Sequence, residues 1–116
     1  VTPLPYFPDA GDLIWTDFDP RVGREQSGRR PALVLSPSAF ARFTGLAVVC
    51  PITSTIRNYA TSVILPAGLA IAGEILVSHV RSIDIQARPI RFSGIAVPET
   101  VLMEARDRLA SITGLT

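Results

Sequence analysis

A chain of 116 residues with 47% apolar and 18% charged residues is the length of one ordinary domain. It can bury enough surface to offset the entropy of ordering. Eleven positive against ten acidic residues give a net charge of +1, which excludes a uniformly basic nucleic-acid binder but permits a local basic patch. A single cysteine, Cys50, excludes an internal disulfide, and a single histidine, His79, excludes a multi-histidine metal centre. A reducing, cytoplasmic setting fits this cysteine usage.

Residues 1–10 hold three prolines and read as an extended N-terminal arm ahead of one domain over 11–116. The opening has no basic start and no unbroken apolar run, so no secretory leader is expected. Leu13–Phe18 is short, aromatic and β-branched, which predicts a strand. A long polar loop over 19–29 follows, and then a second strand over Ala32–Ser36. Residues 37–45 read as a turn or short helix ending at Gly45. Leu46–Cys50 predicts a third strand bounded by Pro51, with a polar loop over 52–60. Ser62–Leu65 is a fourth strand stopped by Pro66. The apolar stretch over 62–77 is interrupted by Pro66, Gly68, Gly73 and Glu74, so it is not a membrane span, and no membrane association is expected. Ile75–Ile85 alternates in part and reads as one longer strand, and Phe92–Val97 as a sixth. Leu102, Ala105, Leu109 and Ile112 recur at helical spacing and predict a C-terminal helix. Pro98 and Glu99 suit its start, Gly114 its stop, and Glu104 and Arg108 pair across one turn. The chain is thus mainly β (α+β), with five or six strands and one amphipathic helix.

All eleven cations are arginine, a planar and permanently charged fork suited to phosphate. Arg21, Arg24, Arg29 and Arg30 fall within ten positions, with Glu25 and Gln26 among them. Such a loop is either a solvated hairpin tip or an anion clamp. Arg30 stands out because it directly precedes Pro31 and the second strand, where the sheet would hold it. After the third strand, Thr53, Ser54 and Thr55 leave together. They serve turn chemistry or, beside Arg30, complete a phosphate pocket. Neither a P-loop nor a dinucleotide fingerprint is present. Asp12, Asp17 and Asp19 are too few for an oxygen-only cage, so neither a metal nor another cofactor is expected.

The segments Gly11-Asp12-Leu13-Ile14-Trp15 and Glu25-Gln26-Ser27-Gly28-Arg29-Arg30-Pro31 resemble the opening of the MazF/PemK family of toxin endoribonucleases. Pro51-Ile52-Thr53-Ser54, Val80-Arg81-Ser82-Ile83-Asp84 and the final helix continue the resemblance over residues 9–114. It implies a small SH3-like antiparallel β-barrel with a C-terminal helix, working as a homodimer. It also implies sequence-specific cleavage of single-stranded RNA and neutralisation by a cognate acidic antitoxin. By motif, Arg30 and Thr53 match the essential arginine and threonine of the family, and Glu25 an acidic loop residue. Arg81 matches a basic position on the RNA face. Ser78-His79 stand where relatives often carry Asp-Gln, a difference that bears on base recognition.

Arg30, Thr53 and Glu25 are therefore the expected catalytic residues. Arg24, Gln26, Arg29, Ser54, His79 and Arg81 are the expected RNA contacts. His79 and Arg81, two apart on a predicted strand, should share a face. RNA brings its own nucleophile, the 2′-hydroxyl, so the reaction needs an oriented sugar-phosphate and a stabilised phosphate charge. Glu25 is the one carboxylate between Arg21 and Arg30, and so the candidate base. The alternatives are a CcdB-type gyrase poison of the same fold, which binds without catalysis, and a catalytically dead binding module.

Overall fold

The runs Leu-Ile-Trp, Ala-Leu-Val and Leu-Ala-Val-Val-Cys show little polar alternation because both faces of their sheet are covered. The computed structural model describes residues 5–18 and 28–115. Seven strands form one antiparallel sheet: β1 (Asp12–Asp17), β2 (Arg29–Val34), β3 (Leu46–Thr53), β4 (Val63–Ile64), β5 (Glu74–Ile75), β6 (Arg81–Asp84) and β7 (Ile90–Ala96). The spatial path is β4-β5-β3-β2-β1-β7, with β6 also on β3. Two helices, α1 (Ser38–Thr44) and α2 (Glu99–Thr113), complete the fold. The expected mainly-β architecture with a C-terminal helix is present.

Residues alternate between two cores. Leu13, Leu33, Cys50, Ile52 and Ile75 join α2 residues Val101, Leu102 and Ala105 on one face. Ile14, Phe18, Ala32, Val34, Ala47, Val49 and Ile83 fill the other. Each fully buried Leu, Ile, Val or Phe side chain among them contributes about 1.5–3 kcal/mol of transfer free energy. α2 begins after Pro98 and stops at Gly114, as its sequence predicts. Ile112, expected on the buried stripe, is exposed. Val101 packs instead, because the last helical turn lies beyond the apolar cluster.

Two strand boundaries differ from expectation. β2 starts at Arg29, not Ala32, so both Arg29 and Arg30 lie inside a central strand. β3 runs through Pro51 to Thr53, which takes Ile52 and Thr53 out of the predicted loop.

The predicted strand Ile75–Ile85 is broken. β5 pairs with the end of β3 and β6 with its start, and a 3-10 turn at Val77–His79 separates them. The cause is Pro51. In an antiparallel ladder, one residue's N–H and C=O point at the same neighbour, so a hydrogen-bonded pair exchanges two bonds. Leu76 donates its N–H to the Pro51 carbonyl at 2.9 Å. Pro51 has no N–H to return. The Leu76 carbonyl accepts from His79 N–H at 3.0 Å instead, which starts the turn. The argument that His79 and Arg81 share a strand face therefore fails, since His79 closes the turn and Arg81 opens β6.

The N-terminal segment is tied to this body. The Tyr6 hydroxyl donates to Asp12 Oδ2 at 2.6 Å, and its ring stacks on Phe92 with centroids 5.3 Å apart. Asp9 Oδ1 accepts the Ser38 N–H at 2.8 Å.

Gly73 lets the backbone of β5 close on β3. Its φ is +145°, and a Cβ there would stand 2.3 Å from the Thr53 carbonyl oxygen. Gly68 has φ +96° but open space around it. Gly73→Ala should destabilise the fold by about 2–3 kcal/mol, against about 1–2 kcal/mol for Gly68→Ala. Urea unfolding midpoints of the two variants check the order.

Candidate active site

β1 and β2 end together at a neck where Phe18 N–H donates to the Gly28 carbonyl at 3.0 Å. Arg29 pairs with Asp17 and Arg30 with Thr16 across this end of the sheet. β2 and β3 pair through Ala32 with Pro51. Two residues beyond that pair on each strand, at the adjoining ends of β2 and β3, stand Arg30 and Thr53. The two residues singled out in distant parts of the sequence thus lie at the same end of two adjacent strands. Arg30 is half-buried and held within a central strand, a preorganised position for a charged fork.

Beside them lies an open cleft of about 320 Å³. Arg29, Arg30 and Ser54 line it together with Trp15, Pro31, Ile52 and the segment Ala70, Ile71 and Ala72. Trp15 and Pro31 are cross-strand partners and form apolar wall. The cleft therefore offers two guanidinium residues and one hydroxyl residue around an apolar surface. Such a site can take an anion joined to a flat, weakly polar group.

Thr53 is flanked by two lining residues, Ile52 and Ser54, and is itself half-buried. Its Oγ1 accepts the Thr55 N–H at 3.2 Å. This is turn chemistry, one of the two expected roles, and it is compatible with the other: a hydroxyl that accepts can still donate its proton.

Arg81 opens β6 opposite Val49. Its guanidinium carbon lies 5.7 Å from the centroid of Phe18, a cation–π contact at the neck where the arginine loop joins β1. Arg24, Glu25 and Gln26, together with Arg21 and Asp19, lie outside the described residues. His79 is half-buried at the end of the 3-10 turn.

Sequence reasoning missed the apolar wall, because tryptophan, proline and isoleucine in strands read as core. It also missed Glu74, a fully buried carboxylate paired with Thr53. Its signal was a lone acid inside an apolar run, where an unpartnered charge would be costly. Glu74 Oε2 accepts the Arg57 N–H and Oε1 the Tyr59 N–H, each at 3.2 Å.

Cys50 is no nucleophile. Burial pushes its thiol up to about 12, so at neutral pH it stays protonated within the core. Among the described residues, no three of His, Cys, Asp and Glu form a group that could hold a metal ion. No helix among them is long and apolar enough to cross a membrane.

The chain is similar to known proteins over nearly its whole length. Residues 9–113 match the model of the PemK-like, MazF-like toxins of type II toxin–antitoxin systems. The endoribonuclease toxin MazF of Escherichia coli K12 is 44% identical over 94 residues, covering 81% of this chain and 84% of that protein. The endoribonuclease PemK of Escherichia coli is 36% identical over 108 residues, covering 90% and 80%. The crystal structure of MazF from Deinococcus radiodurans superposes with a TM-score of 0.90 at 46% identity, covering 95% of this chain and 99% of that one. A MazE–MazF structure from the same organism superposes at 0.85, also at 46% identity, covering 97% and 100%. The chain therefore belongs to the PemK/MazF family of type II toxin–antitoxin toxins.

Proposed function

We propose that this chain is the toxin of a toxin–antitoxin pair, a metal-independent endoribonuclease that cleaves single-stranded RNA, mRNA included, at a preferred sequence. The observation that carries the reading is that Arg30 and Thr53 stand at the same end of the adjacent strands β2 and β3, beside a cleft edged with arginine. The names of its relatives support the reaction class and give no support to a gyrase poison.

The chemistry follows from the substrate. The 2′-hydroxyl attacks the adjacent phosphorus, the bond to the 5′-oxygen breaks, and a 2′,3′-cyclic phosphate and a 5′-hydroxyl result. Positioning for in-line attack and stabilisation of added charge are the protein's tasks. Arg30 supplies the permanent cation and Thr53 a second donor. Glu25 takes the 2′-proton, and the departing 5′-oxygen takes one from solvent, to which Glu25 afterwards returns its own. Arg24, Gln26, Arg29, Ser54 and Arg81 hold the flanking nucleotides. His79 remains a proposed base contact on sequence grounds alone.

RNA should be cut in excess EDTA while DNA of the same sequence survives, because only RNA carries the nucleophile. Gel analysis with 5′-end mapping reads both points. Loss of cleavage under chelation, or equal cutting of DNA, would refute the mechanism.

Arg30→Ala and Thr53→Ala should each lower the single-turnover rate about 100- to 1000-fold. Their circular dichroism should match the parent, since neither side chain belongs to a core. Arg42→Ala, on α1, should cleave normally. A fully active Arg30→Ala protein would displace the phosphate clamp from β2.

A homodimer, a cytoplasmic setting and an acidic antitoxin complete the proposal. Phe43 and Leu115 are 91% and 79% exposed, apolar surface that a second chain could cover. Acidic side chains could occupy the arginine-lined cleft as phosphate mimics. Sedimentation at micromolar concentration should give a two-chain species. An acidic antitoxin segment should displace non-cleavable RNA with salt-dependent affinity. A single-chain species only, or simultaneous binding of RNA and antitoxin segment, would contradict these two points.

A further inference from the structure

We propose that Glu74 is a positioning residue of the cleavage site. Its buried carboxylate, acting through the Arg57 and Tyr59 amides, fixes the segment whose Thr55 N–H orients the Thr53 hydroxyl. The inference rests on the reading that Thr53 donates to the scissile phosphate.

Three observations converge. First, Glu74 is fully buried and stands opposite Thr53 in the β3–β5 ladder. A carboxylate placed there without partners would be strongly disfavoured, so what it binds must be held firmly. Second, its two oxygens are divided between two amides of one segment, Arg57 at 3.2 Å and Tyr59 at 3.2 Å. That segment leaves β3 directly after Thr53. Third, the Thr55 amide of the same segment donates back to Thr53 Oγ1 at 3.2 Å. Three alternate amides, at 55, 57 and 59, are thus tied to Thr53 or to its cross-strand partner.

The offset between β5 and β6 makes this arrangement. Had the β6 register run on along β3, Ile52 and Thr53 would face Ser78 and Val77; they face Ile75 and Glu74. The break at Pro51 therefore puts a carboxylate, not an apolar side chain, next to Thr53. Gly73 lets the β5 backbone approach closely enough for the reach to work, since it lies against the Thr53 carbonyl. The Thr53 hydroxyl accepts one bond of fixed direction, and its proton is then aimed by the rest of the pocket. Without the tether, Thr53 keeps its place in β3, but the group that sets its hydroxyl is lost.

Glu74→Gln tests this. One acceptor oxygen becomes an NH₂ group that meets a backbone N–H, while size and shape are kept. With single-stranded RNA, kcat should fall about 10- to 100-fold with KM within about twofold, as expected for a misplaced reacting group. Amide exchange at Arg57 and Tyr59 should accelerate, and Thr55 should follow. In a Thr53→Ala background, with enzyme in excess over RNA, the same change should cost no more than about twofold further.

A Glu74→Gln protein with kcat within about twofold of the parent would overturn the proposal. So would a loss that repeats in full on Thr53→Ala, because Glu74 would then act elsewhere. Should Glu74→Gln fail to fold, Thr55→Pro removes the orienting N–H and leaves Glu74 in place. It should show the same kcat loss with Arg57 and Tyr59 still protected, and an active Thr55→Pro protein would overturn the proposal equally. Full activity of Thr53→Ala would instead refute the underlying reading, so the two failures are distinct.

Discussion

Pro51 has no amide hydrogen, and one edge of β3 is organised around that missing donor. Leu76 can give one hydrogen bond to this edge and cannot receive the other, so its carbonyl turns to His79. The neighbouring chain leaves the ladder there and rejoins at Arg81. β3 is consequently shared by two short partners in place of one long one. Its first half packs with β6 over the Phe18 core, and its second half meets β5 where the cleft begins. A proline inside a central strand is ordinarily a fault in the sheet. Here the fault divides a structural half from a working half.

The two cores explain why the site lies where it does. α2 covers one face of the sheet through Val101, Leu102 and Ala105. At the start of β2, that same sheet presents half-buried Trp15 and Pro31 with Arg29 and Arg30 at the cleft. Arg30 borrows its rigidity from a strand paired with β1 from Arg29 to Leu33 and with β3 from Ala32 to Val34. Ser54 and Thr55 sit just outside the last ladder pair, where the Thr55 N–H is tethered to the Thr53 hydroxyl. Strand and loop therefore contribute different things: a fixed charge from one, an adjustable hydroxyl from the other.

Much of the fold was legible because it rests on local chemistry. The C-terminal helix carried its start, its stop and most of its buried stripe in plain spacing. The short strands β1 and β4 were marked by apolar residues between turn formers. The break after β5 was not legible from Ile75–Ile85 alone, since its cause sits more than twenty positions earlier at Pro51. That is a pairing effect, visible only once β3 and β5 are neighbours. Arg30 and Thr53 could be named from motif, whereas their place at one end of two adjacent strands is a consequence of strand pairing. Glu74 was seen only as a charge that spoils a membrane span; that it faces Thr53 depends on the same offset. Glu25, placed by motif and by its arginine neighbours, lies outside the described residues and stays a reading of sequence.

The cations that line the cleft, Arg29 and Arg30, are guanidinium groups, and the chain contains no lysine at all. A guanidinium keeps its charge at every pH a folded protein survives. The attraction these two residues exert on a polyanion therefore cannot be tuned by acidity or removed by acylation of an ε-amine. Ionic strength is left as the general lever on it, through the counterions that a phosphate chain must shed on binding. A site built this way keeps its charge across the physiological range of acidity, so its hold on a polyanion is weakened by salt and by whatever else occupies it.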